Sequence, residues 1–152
     1  MSLLRKGFTL VEMMVVVVVI GLLASIVTLK YIDLSRTAYA AKVVGEFTTI
    51  RLAAYNYEAD HNNQWPAEVG AGVVPPEMIP YLPQGFSFVT PTYTLDWDNR
   101  SPSLDPYELA ITLTSSDAAL INALQQNLGN NAPYFFAGSE LTYVLIDASG
   151  NY

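Results

Sequence analysis

The chain has 152 residues, 51% of them hydrophobic, a formal net charge of −7 and no cysteine. That length suits one domain, or one domain with an appendage. The missing cysteine excludes a disulfide framework, a thiolate zinc site and a cysteine nucleophile.

The charges divide the chain. Residues 1–59 carry six Lys/Arg against four Asp/Glu, whereas residues 60–152 carry Arg100 alone against ten acids. Such an acidic back half repels phosphate and disfavours nucleic-acid binding. It reads as a solvated surface that keeps a domain soluble.

The first seven residues, Met1 to Gly7, form a short leader with two positive charges, Arg5 and Lys6. Positive charge before an apolar span holds that end in the cytoplasm. Phe8 to Leu29 follows with Glu12 as its only charge. As a helix this run is about 33 Å long, enough for a hydrocarbon core of about 30 Å. In lipid a lone span satisfies its backbone only as a helix, despite the valine-rich stretch from Val15 to Val19. A removable secretory signal would have a shorter apolar core and a small-residue cleavage site, which Leu22-Leu23-Ala24 is not. A plain anchor explains the length but leaves Glu12 unexplained, because an ionised carboxylate among apolar residues at membrane depth is costly without a partner.

The segment Arg5-Lys6-Gly7-Phe8-Thr9-Leu10-Val11-Glu12-Met13-Met14-Val15 resembles the processing motif of the type IV pilin and pseudopilin family. The resemblance covers about residues 5–27. It implies cleavage between Gly7 and Phe8 by a membrane prepilin peptidase and N-methylation of the new Phe8 amine. It also implies that Glu12 pairs with the Phe8 amine of a neighbouring copy during assembly. The family often has proline where this chain has Leu29, so the helix keeps its full hydrogen bonding there, and Gly21 remains as a weak point.

Helical spacing continues past Lys30. Tyr39, Val43, Phe47, Ile50, Ala54 and Tyr57 form one apolar stripe, with Lys42 and Glu46 four apart on the wetter side. One helix is predicted from Phe8 to about Asp60, roughly 80 Å long. Residues 8–30 are its membrane or filament-core part, and residues 31–152 form the head. A connecting loop is predicted over 61–85, rich in proline, with a helical turn at Pro76–Ile79. The resemblance implies that this segment is an exposed edge used in subunit contacts.

Residues 86–152 read as an antiparallel sheet. Tyr93, Leu95 and Trp97 alternate with polar residues, as do Tyr107, Leu109, Ile111 and Leu113. Ser116-Asp117 caps a short helix, Ala118 to Leu128, that Gly129 ends. Tyr134–Phe136 and Leu141–Asp147 flank a hairpin turn at Ala137–Glu140. The predicted fold is therefore α+β: a long N-terminal helix on a small antiparallel sheet of four strands, with one extra short helix.

No catalytic pattern is present. His61, the sole histidine, sits among Asp60, Asn62 and Asn63 and reads as a solvated surface group. No cofactor is expected. The weak calcium candidates are Asp96, Asp98 and Asp105, with Asn99 and Ser101, in what reads as a loop between strands; the spacing fails the EF-hand pattern. The resemblance implies a structural filament subunit and not an enzyme, either in a type II secretion pseudopilus or as a minor pilin of a type IV pilus. Its partners would be other copies and related subunits, the prepilin peptidase, an inner-membrane assembly platform and, before assembly, membrane lipid. The N-terminus would be cytoplasmic and the head periplasmic. The alternative is a minor pilin whose head is a binding module for an exoprotein, a surface or DNA.

Overall fold

The computed structural model describes residues 7–100 and 106–151. Its elements are α1 (Leu10–Asp60), a 3-10 helix (Pro76–Tyr81), β1 (Thr94–Asn99), β2 (Tyr107–Thr114), α2 (Ala118–Leu128), β3 (Tyr134–Ala137) and β4 (Glu140–Asp147). By its contacts the chain divides into two units, one ending at Ser35 and the other beginning at Arg36.

In the first unit α1 runs through Gly21 and Leu29 without a break. Its side chains from Leu10 to Ile32 are exposed on every face. A helix apolar all round has no amphipathic stripe to bury in water and belongs in lipid or among other apolar helices. The hydroxyls of Ser25 and Thr28 are satisfied locally. Ser25 Oγ donates to the Leu22 carbonyl (2.7 Å) and Thr28 Oγ1 to the Ala24 carbonyl (2.8 Å), which removes their need for water.

The second unit has its own core. The stripe on α1 is buried at Val43, Phe47, Ile50 and Ala54, and Ala40 and Ala53 join it. Tyr39 at its start stays largely exposed and Tyr57 at its end is half-buried. The sheet has the order β1-β2-β4-β3 with all neighbours antiparallel. Its alternation sends Leu95, Trp97, Leu109, Ile111, Leu113, Leu141 and Leu145 into the core with Leu120, Ile121 and Leu124 of α2. The Phe47 ring stacks on Tyr143 of β4 with centroids 5.5 Å apart, joining α1 to the sheet. Asp117 caps α2: its Oδ1 accepts from the Ala119 and Leu120 amides, and Gly129 ends the helix at φ 73°.

The connecting segment is tied to the sheet by specific bonds. Trp97 Nε1 donates to the Pro66 carbonyl (3.0 Å), as does Asn99 Nδ2 (2.8 Å). The Asn99 amide donates to Glu68 Oε2 (2.6 Å). The Gly72 amide donates to the Leu95 carbonyl (2.8 Å), and a Cβ on Gly72 would stand 2.9 Å from Val89 Cγ2. Only glycine allows that approach at φ 80°.

One expectation needs correction. Asp96, Asp98 and Asn99 do not lie in a loop between strands; they are part of β1, paired with Thr112, Ala110 and Leu109 of β2. The acidic residues occupy the alternate positions between Leu95 and Trp97 and beyond, so they line the outer face while their neighbours fill the core. Asp105 and Ser101, and the leader charges Arg5 and Lys6, lie outside the described residues.

Candidate assembly site

Three residues at the start of α1 form a reciprocal hydrogen-bond cluster. The Thr9 carbonyl accepts the first helical bond, from the Met13 amide (3.3 Å), so Thr9 is the N-cap. Thr9 Oγ1 accepts from the Glu12 amide (3.2 Å). Glu12 Oε2 in return accepts from the Thr9 amide (2.8 Å) and from the Thr9 hydroxyl (2.9 Å). This is a capping box, with Glu12 at the third helical position. A carboxylate at that end of a helix also meets the positive end of its dipole.

Gly7 and Phe8 precede the cap outside the helix, and Phe8 is 79% exposed. The peptide bond between them therefore lies outside the helix, exposed next to its start. The motif read from the sequence includes Thr9 but singles out Glu12 by its charge and gives Thr9 no capping role. The signal was present: Thr9-Leu10-Val11-Glu12 has the Thr-x-x-Glu spacing of a capping box before an apolar run. Downstream, α1 is long and apolar enough to cross a membrane, and none of that stretch is buried.

In the second unit, His61, just past the end of α1, packs back on that helix. Its ring stacks on Tyr57 (centroids 3.9 Å), and Nδ1 lies 2.9 Å from the Tyr57 carbonyl. Lys42 pairs with Glu46 at 3.2 Å, and Glu46 Oε2 accepts from the Tyr93 hydroxyl (2.7 Å). Burial and this bond to a carboxylate push the Tyr93 hydroxyl well above the ordinary phenol range.

The outer face of the sheet gathers acids. Oxygens of Glu68, Asp96 and Asp98 lie within 4.8 Å of one another, close enough to face one divalent cation. Asp98, 1% exposed, already has both oxygens occupied. Oδ1 takes the Arg100 guanidinium (2.9 Å) and Oδ2 the Thr112 hydroxyl (2.6 Å). Asp96 Oδ1 is buried without a hydrogen-bond partner. Burial, then the neighbouring charges of Asp98 and Glu68, push its carboxyl up to about 6.

A raised carboxyl makes a testable signature. Between the unfolded value near 3.8 and the folded value near 6, the folded chain binds more protons than the unfolded one. Asp96 therefore costs nothing below pH 4, and its cost accrues as pH rises and is complete above 6. Since the group is partly solvated, we expect the cost to be only about 1 kcal/mol. In chelator-treated buffer, Asp96→Asn is expected to raise Tm at pH 7.5 and to change little at pH 4. Parallel pH dependence in both proteins would contradict this assignment.

Comparisons with known proteins agree with the position of this cluster. Residues 3–28 match the family described as the prokaryotic N-terminal methylation motif. The chain is similar to a type IV major pilin protein of Neisseria gonorrhoeae, 33% identical over 76 residues, which is 50% of this chain and 35% of that protein. It is similar to a type II secretion system core protein G of Klebsiella michiganensis, 33% identical over 88 residues, covering 54% and 62%. A fimbrial protein of Pseudomonas aeruginosa is 40% identical over 50 residues, covering 33% and 32%. The chain thus spans about a third to three fifths of the length of these curated relatives. No solved structure gives a significant match.

Proposed function

We propose that this chain is a member of the type IV pilin and pseudopilin family and serves as a structural filament subunit, cut between Gly7 and Phe8 and assembled through Glu12. The observation that carries the reading is the capped carboxylate at the head of an exposed apolar helix. In the capping box Oε2 is held by Thr9, while Oε1 has no hydrogen-bond partner among the described residues. Cleavage after Gly7 turns the Phe8 amide into an ammonium, one helical turn before Glu12. An ammonium and a carboxylate buried together among apolar helices neutralise each other, whereas either one alone in that medium is strongly disfavoured. Pairing between copies therefore makes entry of each new helix favourable only in the right axial position.

The remaining roles follow from the same reading. A prepilin peptidase makes the cut, and the new amine is methylated. Before assembly the chain sits in the inner membrane with its start cytoplasmic and its head periplasmic. An inner-membrane platform then moves it into a filament of like subunits. Relatives of both pilus and secretion types support the filament role, and the missing cysteine favours a pseudopilin or minor pilin over a major adhesive pilin closed by a disulfide.

Intact-mass measurement of the protein from its native membrane tests the reading. We expect loss of residues 1–7 and a gain of one methyl group on Phe8. Gly7→Leu is expected to leave the leader attached, because a peptidase that fits an unhindered residue before the cut rejects a branched side chain. An uncut start in the parent protein, or removal of the whole apolar segment, would overturn the proposal.

A further inference from the structure

We propose that the concave surface between α2 and β3 is a binding site for a neutral saccharide. The concavity, about 480 Å³, is lined by Asn122, Gln125, Gln126, Asn130, Tyr134 and Phe136. Its size falls in the range of small-molecule sites. It combines four carboxamides with two aromatic rings and carries no charged side chain.

The aromatic pair is held by the fold. Tyr134 and Phe136 are two apart in β3, so they stand on the same side of the strand, about 7 Å apart along it. Tyr134 packs against the core, which anchors the platform, while Phe136 is 57% exposed. Their register with Tyr143 and Leu141 of β4 fixes both positions. The amides are uncommitted. Among the described residues from 118 to 130, the one side-chain amide bonded within the chain is Asn127, to the Ala123 carbonyl, and it lies outside the lining.

This chemistry selects its ligand. A pyranose ring has an apolar C–H face and a rim of hydroxyls. The C–H face suits the negative face of an aromatic ring. Each hydroxyl is both donor and acceptor, and a carboxamide offers both in one plane. An apolar peptide segment would bury the four amides without partners, which is costly. A phosphate or nucleic acid would find no cation in the lining and an acidic domain around it. The site belongs to the second unit and does not depend on how α1 is processed or assembled, so its failure leaves the filament reading untouched.

The test uses the full chain in a phosphocholine detergent, which has no sugar headgroup. It is applied to an array of neutral and acidic glycans and titrated with free maltotriose, cellotriose and chitotriose. Retention of a subset of neutral glycans is expected. Phe136→Ala, and separately the pair Gln125→Ala with Gln126→Ala, are expected to weaken it about tenfold. Asn127→Ala, outside the lining, is expected to bind as the parent does. Gln126 is exposed and Gln125 half-buried, and neither belongs to the core, so the pair carries the test if Phe136→Ala lowers Tm. Failure to retain any neutral glycan, retention of acidic glycans alone, or undiminished binding by both variants would overturn the proposal. So would self-association that the same variants abolish, which would assign the surface to a second copy.

Discussion

Replacing Glu12 with alanine is expected to leave cleavage after Gly7 intact and to abolish filaments in cells that lack the parent subunit. The Gly7-Phe8 bond lies outside the helix, and the apolar span is unchanged, so the proposed insertion and cleavage are expected to persist. Two things are lost. The Thr9 amide loses its acceptor, Oε2, which loosens the first turn of α1. More importantly, on the proposed assembly the Phe8 ammonium of each entering copy would have no counter-charge at its depth. The two losses are separable. Glu12→Gln keeps a carbonyl oxygen for the cap but removes the charge, so it is expected to fail in assembly as alanine does. Thr9→Ala removes the N-cap hydroxyl and keeps the charge, so it is expected to reduce filament yield without abolishing it. Electron microscopy of sheared surface or periplasmic fractions, with intact-mass control of processing, reads all three. Normal filaments from Glu12→Ala would sink the assembly role.

Trp97→Ala is expected to produce the largest loss of stability in the second unit. Trp97 is fully buried in the middle of β1, opposite Ile111 of β2. Its indole N–H donates to the Pro66 carbonyl and so fastens the connecting segment to the sheet. Truncation removes the ring and leaves a cavity, at a cost of about 3–5 kcal/mol. A domain of this size is stable by roughly 5–15 kcal/mol, so Tm is expected to fall by about 10–20 °C. Trp97→Phe keeps most of the packing and loses the hydrogen bond, so it is expected to cost less than half as much. Circular dichroism melts of the chain in detergent measure both. A loss under about 1 kcal/mol for the alanine variant would show that the site collapses around the gap, contrary to close packing.

Much of this architecture was legible in the residues. The helix stripe at Val43, Phe47 and Ile50, the alternation of Tyr107 to Leu113 and the Asp117 cap each follow from local periodicity or local hydrogen bonding. Asp117-to-Gly129 spacing places α2, because both cap residues act within one turn of the chain. Glu12 stood out because it is the only charge in the run from Phe8 to Leu29. Thr9 stands in the motif, and its spacing to Glu12 marks the cap, but the bonds that make it one are visible only in the structure. The acids of β1 were misplaced in a loop. Their polarity suggested a turn, whereas the pairing of Asp96 with Thr112 and Asp98 with Ala110 keeps them in the ladder.

By itself the sequence determined the apolar helix and the carboxylate within it, the helical stripe, the two caps and the strand alternation. These are properties of neighbours along the chain, governed by repeats of 3.6 and 2 residues. The tertiary structure decided the strand order β1-β2-β4-β3, the tie from Pro66 and Glu68 to β1, the crowding of Glu68, Asp96 and Asp98, and the meeting of α2 amides with β3 rings. Each of those joins residues far apart in the chain. Their closeness depends on how the sheet buries its apolar face against two helices, which no local pattern encodes.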